Sequence, residues 1–445
     1  MGNTTPKQIL ILGGGFAGLT LAVELEKKLG EDSSVKITLI NRDNFFLFTP
    51  MLHEVATSDL DFTAIVSPAR KMLRRVNFLA AEIEQIDIEN KNVVVSHGFH
   101  HHQHTIGFDF LVIGLGCVTN LYGISGLRES ALTMKTLGDA IRLRNQLISH
   151  LEEADSDCCK EKEPLLTFVV AGGGFAGVET VAGINDFVRG SLRSYRRVSE
   201  DMIRIILIHS GPVILPELDK RLGAFARRKL AERKVEFHLN VKIEEFSGGE
   251  VRLSDGTKIE TGTLVWTAGT TPNPLMEVIP CAKERGRLLV NEFLELPHCH
   301  GIWALGDCAS IPDRRRGGYY PATAQHALRE AKLVAHNIFA SLRGKKKKRF
   351  SFTTIAQLAA IGRRTGVANI LGFNFSGFIA WWLWRTIYLS KLPGLEKKLR
   401  VAFDWTLDLV FSKDLVQFLE IRAPMISRPE DNSPEEPAAI ASQIS

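Results

Sequence analysis

Two short stretches of the chain have residue types and spacing suited to holding phosphate with backbone groups. Gly13-Gly14-Gly15-Phe16-Ala17-Gly18 follows the apolar run Ile9 to Leu12, and Gly172-Gly173-Gly174-Phe175-Ala176-Gly177 follows Leu166 to Val170. In GxGxxG the first glycine permits a tight turn out of a strand and the second lets the backbone approach a pyrophosphate. The third lets helix pack against strand. The helix that opens next offers unpaired N–H groups to negative charge. One such loop is a common turn. Two, each set between a strand and a helix, point to two bound dinucleotides. Their near identity, GGGFAGLT against GGGFAGVET, reads as an internal duplication.

Units of this kind end their second strand on an acid that receives a ribose hydroxyl. Here Ile40 is followed by Asn41-Arg42-Asp43, and Ile208 by His209-Ser210. Asn41 can still bond ribose hydroxyls, without the charge assistance of a carboxylate. Without the acid a 2′-phosphate is not repelled, so both NADH and NADPH remain open at the second loop. Asp307 directly follows the apolar run Ile302 to Leu305 and Gly306. It is placed either to reach a hydroxyl near a pyrophosphate or to cap the segment after it.

The elements that must carry these residues are legible from hydrophobic runs. Ile9 to Leu12, Leu166 to Val170, Phe110 to Ile113, Leu264 to Trp266 and Ile302 to Leu305 read as strands buried on both faces, each ending near glycine. The expected fold is α/β, with two Rossmann-like dinucleotide-binding domains arranged as in glutathione reductase and a C-terminal helical segment that associates with membrane. Residues 1–163 and 295–344 form a discontinuous first domain, and 164–294 an inserted second one. The polar stretch 152–164 marks the crossing. Residues 345–422 make the C-terminal region, and the Pro-, Ser- and Glu-rich 423–445 a disordered tail.

A chain of 445 residues is long enough for two or three domains, and a net charge of +5 gives no sign of a nucleic-acid partner. The six cysteines show no CxxC or CxxxxC spacing, which argues for a reducing compartment and against electron relay through a paired disulfide. No metal site is expected, and the histidine-rich stretch 97–104 reads as a solvated hairpin connection. The start, MGNTTPKQILIL, has no signal-peptide pattern, and Pro6 weakens a myristoylation reading of Gly2. No run of 18 apolar residues is present, so no transmembrane helix is expected. Gly377 to Trp384, with Tyr388 and Lys391 beyond it, and Leu399 to Phe411 instead combine apolar, aromatic and basic residues as interfacial helices do. Packing on the enzyme's own core, or across a homodimer interface, accounts for the same pattern. The basic run Lys345 to Arg349 would add attraction to anionic lipid.

Taken together, these motifs resemble the type II, non-electrogenic NADH:quinone oxidoreductases over roughly residues 7–420. The specific parts are Phe46-Leu47-Phe48-Thr49-Pro50-Met51-Leu52, Val265 to Gly269, Gly306-Asp307, Ala324-Gln325-His326-Ala327, Ala360 to Arg364 and Trp381 to Arg385. The resemblance implies a peripheral flavoprotein on the cytoplasmic side of the cell membrane, passing hydride from NADH to FAD and two electrons to a membrane quinone. It implies FAD at Gly13, Gly15, Gly18, Asn41, Arg42, Thr49, Pro50, Gly116, Asp307 and Ala324. NADH falls at Gly172, Gly174, Gly177, Glu179, His209 and Gly269. Glu179 and Gln325 are the implied catalytic residues, with quinone at Gln325, Arg329, Ile361 and Gly362. A helix N-terminal Glu favouring the macrodipole is the other account of Glu179. Arg329 departs from the family's AQxAxQ pattern. A soluble FAD-dependent NAD(P)H reductase of a protein electron carrier is the alternative function, and it needs no membrane face.

Overall fold

The computed structural model describes residues 5–98, 100–407 and 414–417. The expected tail 423–445, Phe411 and Gly2 lie outside the described residues.

The run Ile9 to Leu12 is fully buried and forms the strand Lys7–Leu12, central in a five-stranded sheet. The order is Ile302–Ala304, Phe110–Ile113, Lys7–Leu12, Val35–Asn41, Asn77–Ala80, all parallel. Helices Phe16–Leu29 and Ala324–Leu342 pack against each other beside it. The strand that ends at Gly306-Asp307 therefore enters this sheet from 190 residues beyond Cys117, the half-buried residue whose thiol donates to Asp307.

The second sheet repeats the plan. Leu132–Thr133, Thr263–Trp266, Thr167–Ala171, Arg204–His209 and Val235–Leu239 lie side by side, again all parallel. Leu132–Thr133 joins it although it precedes the polar 152–164 stretch. Part of that stretch completes the helix Leu137–Asp155, which starts on a capping box of Thr136 and Asp139. Each unit also carries a three-stranded antiparallel meander, at Glu82–Asp87, Asn92–His97, His102–Gly107 and at Ile243–Ser247, Glu250–Leu253, Lys258–Glu260. A ribbon of Cys117–Thr119 against Thr270–Pro272 ties the two units together.

Beyond residue 350 the chain departs from expectation. Within the C-terminal region expected to be helical, Phe373–Gly377 is the third strand of an antiparallel sheet with Ala356–Ala360 and Gly366–Ile370. Its alternation of Phe373 and Phe375 with Asn374 and Ser376 is a strand period, and Gly377 at φ 73° ends it. The helix begins at Phe378 and runs to Lys391, followed by Leu395–Leu407. The histidines of 97–104 lie at the turn and strand ends of the hairpin Asn92–His97 and His102–Gly107, most of them exposed, with the His97 and His104 rings 4.4 Å apart. Among the described residues no group of three or more His, Cys, Asp or Glu is arranged to hold a metal ion.

Candidate functional site

Both glycine loops take the geometry their spacing predicts. A Cβ on Gly18 would lie 1.8 Å from the Gly13 carbonyl oxygen, and one on Gly177 would lie 1.8 Å from that of Gly172. These two glycines pack helix on strand. They do not line a cleft. The helices start at Gly15 and Gly174 with no side-chain cap and no acid in the first turn, which leaves their N–H groups free for an anion.

The first loop opens on a cleft of about 550 Å³ lined by Gly13, Gly15, Asn41, Arg42, Thr49, Gly116, Asp307 and Ala324. Of the residues expected at FAD, only Gly18 and Pro50 stand outside this lining. Lys135 and Cys117 were not anticipated. The Lys135 ammonium donates to Cys117 Sγ at 2.9 Å, and that thiol donates to Asp307 Oδ2 at 2.9 Å. Burial, and then the Asp307 charge, push the Cys117 thiol up from its ordinary value. An uncapped helix start, a roomy cleft and a carboxylate at its edge fit a dinucleotide of FAD's size and donor pattern.

The second loop faces a cleft of about 620 Å³ lined by Gly172, Gly174, His209, Gly269, Trp266, Tyr122 and Glu217. Here the missing strand-end acids find an explanation. Gly14 N–H donates to Asn41 Oδ1 at 2.7 Å, and Gly173 N–H donates to His209 Nδ1 at 3.1 Å. Each residue braces the middle glycine of its own loop. Burial holds the His209 imidazole below its usual value, against the pull of Glu217, so it is neutral near pH 7. With Nδ1 accepting, its proton sits on Nε2. A carboxylate does stand at this cleft, on Glu217 from the loop after the strand, with Oε1 3.6 Å from where a Gly174 Cβ would be.

Glu179 is absent from that cleft. It lies beyond the first turn of the helix Phe175–Ser191, which removes the macrodipole account of it. Its buried carboxylate lines a third cleft of about 850 Å³ with His53, Glu54, Ala360, Gly362 and Trp381. Ala360 N–H donates to Oε1 at 3.1 Å, and the Trp384 indole N–H donates to the same oxygen at 3.0 Å. His53 Nδ1 stands 3.8 Å from Oε2. Burial pushes the Glu179 carboxyl up to about 8, and the nearby Glu54 charge adds to this against the two hydrogen bonds. Glu179 therefore carries a proton at neutral pH. Trp384 also stacks edge-on with Tyr388 at 4.8 Å, and Tyr388 with Phe48 at 6.1 Å, next to Thr49 of the first cleft.

These features coincide with known proteins. Residues 7–331 match the pyridine nucleotide-disulphide oxidoreductase family, and residues 357–414 match the NDH2 C-terminal domain. The type II NADH:quinone oxidoreductase of Mycobacterium tuberculosis is 31% identical, the alignment covering 91% of this chain and 89% of that one. The chain belongs to the type II NADH:quinone oxidoreductases. The Staphylococcus epidermidis member is 29% identical over 87% of this chain and 96% of its own. In fold, the chain is similar to NDH2 from Plasmodium falciparum solved in complex with NADH. The TM-score is 0.86 at 20% identity, covering 92% of this chain and 99% of that one.

In this type II oxidoreductase the remaining expected residues lie on or against the strand that opens the NDH2 C-terminal domain match. Gln325, on the Ala324–Leu342 helix, donates to the Ala356 carbonyl at 2.9 Å and accepts from Ile355 N–H at 3.2 Å. One end of the strand Ala356–Ala360 is thus held by Gln325 and the other by Glu179. Arg329 lines none of the three clefts. Its guanidinium lies 4.0 Å from the Phe352 ring centroid and donates to the Gln325 carbonyl at 2.8 Å. Ile361 is buried and its carbonyl accepts from Arg233, while Gly362 lines the third cleft. The run Lys345 to Arg349 is partly tied down, Lys347 to buried Glu295 at 2.6 Å and Arg349 to Glu292 at 3.3 Å. His53 and Glu54 carried no motif of their own, and Trp384 lay in one with no role assigned, because only packing brings the three to Glu179.

Proposed function

We propose that the NADH:quinone oxidoreductase reaction of the family is divided here among the three clefts, with quinone reduction at the Glu179 cleft. The observation that carries this is the convergence on one protonated carboxyl of Ala360, Trp384 and His53, three residues from two ends of the chain.

Gly13, Gly15 and the N–H groups opening the Phe16–Leu29 helix would hold the FAD pyrophosphate. Asp307 would receive ribityl hydroxyls, and Thr49, Gly116 and Ala324 would wall the rest. When bound, FAD supplies the two-electron chemistry that side chains lack. Gly172, Gly174 and the start of the Phe175–Ser191 helix would hold NADH, with His209 Nε2–H and the Glu217 carboxylate facing its ribose. Glu217 then does the work of the absent strand-end acid and repels a 2′-phosphate.

Reducing a quinone consumes protons as well as electrons. Glu179 holds one at neutral pH, and His53 stands where a replacement would be passed on. The quinone edge would meet the backbone at Ala360 and Gly362. Gln325 spends both amide groups on the backbone at 355–356, so its role is to fix the strand, and Arg329 in turn fixes Gln325.

No helix among the described residues is long and apolar enough to cross a membrane. Leu371, Phe373, Phe378, Ile379 and Trp382 are exposed on the C-terminal sheet and first helix, and Leu395, Leu399 and Phe403 on the second. This surface lies against lipid, on the cytoplasmic face of the cell membrane as the family resemblance implies, and delivers quinone to the third cleft. A second copy of the chain is the competing occupant.

Rapid mixing tests the division. NADH should bleach bound FAD equally fast in the wild type and in Glu179→Gln, while reoxidation by a short-chain quinone slows by ~100-fold in the variant. A variant slowed in bleaching and normal in reoxidation would move Glu179 to the NADH step.

A further inference from the structure

Cys281 and Cys299 share no sequence motif, yet the fold sets their sulfur atoms 3.9 Å apart across 18 residues. Both are half-buried, and neither lines any of the three clefts. Each sits in a short turn. Cys281 N–H donates to the Ile279 carbonyl at 2.8 Å, and Cys299 N–H to the Leu296 carbonyl at 3.2 Å. The Lys283 ammonium closes over the first turn, donating to the carbonyls of Ile279 at 2.6 Å and Cys281 at 3.2 Å. Both turns are therefore held in place by their own hydrogen bonds, with the two thiols facing each other.

We propose that Cys281 and Cys299 are an oxidant-responsive thiol pair that closes to a disulfide. An S–S bond needs about 2 Å, so the sulfur atoms must approach by roughly a further 2 Å. With hydrogen peroxide as oxidant, one thiolate attacks a peroxide oxygen, the O–O bond breaks, and a sulfenic acid and one water form. The second sulfur then attacks the sulfenic sulfur. The S–S bond forms, and the hydroxyl leaves as a second water with the second thiol's proton. Two thiols lose two electrons in all, and one peroxide becomes two waters.

Burial first, and Cys299 second, push the Cys281 thiol up to about 11, with Lys283 pulling the other way. Attack by the Cys281 sulfur is thus slow at neutral pH, and the pair closes under sustained peroxide. Its place in the fold gives the bond a structural consequence. The ring it closes contains the hairpin Lys283–Glu284 and Arg287–Leu289, whose second strand pairs with Ala309–Ser310 just beyond Asp307. Cys299 itself precedes the strand Ile302–Ala304 that leads into Gly306-Asp307.

The test uses the full-length, FAD-loaded protein with Cys158→Ser and Cys159→Ser, so that the neighbouring cysteines at 158 and 159 do not compete. After prolonged treatment with hydrogen peroxide, free thiols are alkylated and the protein is digested without reductant for mass spectrometry. The expected result is a linked pair of peptides containing Cys281 and Cys299, two hydrogens lighter than their sum and separated by dithiothreitol. Adding Cys281→Ser should abolish the link and leave NADH-dependent bleaching of FAD unchanged. If that variant does not fold, loss of alkylation at 281 and 299 together in the parent, reversed by dithiothreitol, carries the same information. Separate sulfinic adducts at the two positions, or two thiols still open to alkylation when other cysteines have oxidised, would overturn the proposal.

Discussion

Glu217 and Glu179 show how one residue type takes opposite roles from its surroundings. Glu217 is exposed at the mouth of the second cleft. Glu179 is buried under Trp384 and Ala360, where desolvation outweighs two hydrogen bonds and holds the proton on. The charge on Glu217 has a measurable consequence for the donor. Replacing it by Gln removes the repulsion against a 2′-phosphate while retaining a hydrogen-bonding side chain. The ratio of kcat/KM for NADPH over NADH should rise by ~10-fold or more, equivalent to about 1.4 kcal/mol. An unchanged ratio would leave discrimination to His209 or the backbone. The resemblance pointed to Glu179 but not to its cleft, and Glu217 had no motif, since both placements depend on which side of a loop or helix faces the interior.

At the scale of elements, the C-terminal helices carry apolar residues on two sides. Trp384, Val401 and Trp405 are buried against the body, where the Trp405 indole donates to Glu54 at 3.0 Å. Leu395, Leu399 and Phe403, at a spacing of four, face outward and are each more than 60% exposed. A helix with only one packing partner would keep polar residues there. Leu399→Glu with Phe403→Glu should weaken flotation with anionic liposomes by ~10-fold or more and leave turnover with a short-chain quinone intact. If liposome binding is unchanged but the protein shifts from dimer to monomer, the face belongs to a second copy. The amphipathic pattern was visible in the sequence. The sheet before it was not, because Phe373 to Gly377 is short and its partners Ala356–Ala360 and Gly366–Ile370 have weak strand signatures of their own.

Over the whole molecule, two buried acids set a pH dependence of stability. Glu330, whose carboxylate accepts from Gly306 N–H at 2.8 Å, is pushed up to about 8 by burial and then by the Asp307 charge, as Glu179 is by burial and Glu54. In the unfolded chain both return to the ordinary glutamate value near 4.5. Below that value both states are protonated and nothing is lost. Between about 4.5 and 8 only the folded state keeps the protons, so stability falls as pH rises, and above about 8 it levels off. The Tm of the FAD-saturated protein should therefore drop across this window, and Glu330→Gln with Glu179→Gln should flatten the drop. Parallel curves for the variant and the wild type would show that these carboxyls are ionised in the fold.

What the sequence determined by itself was whatever rests on local order. Two strand–glycine–helix units, the apolar strands and the amphipathic tail follow from spacing along the chain, because backbone turns and helix or strand periods are properties of neighbours. Tertiary structure decided which side chains meet. It turned Asn41 and His209 inward to brace their own loops and brought Glu217 to the cleft. It set Glu179 under Trp384 and outside the cleft of the second glycine loop, and it paired Cys281 with Cys299. Those meetings depend on burial and long-range packing, and hydrogen bonds between residues tens to hundreds of positions apart leave no periodic trace in the chain.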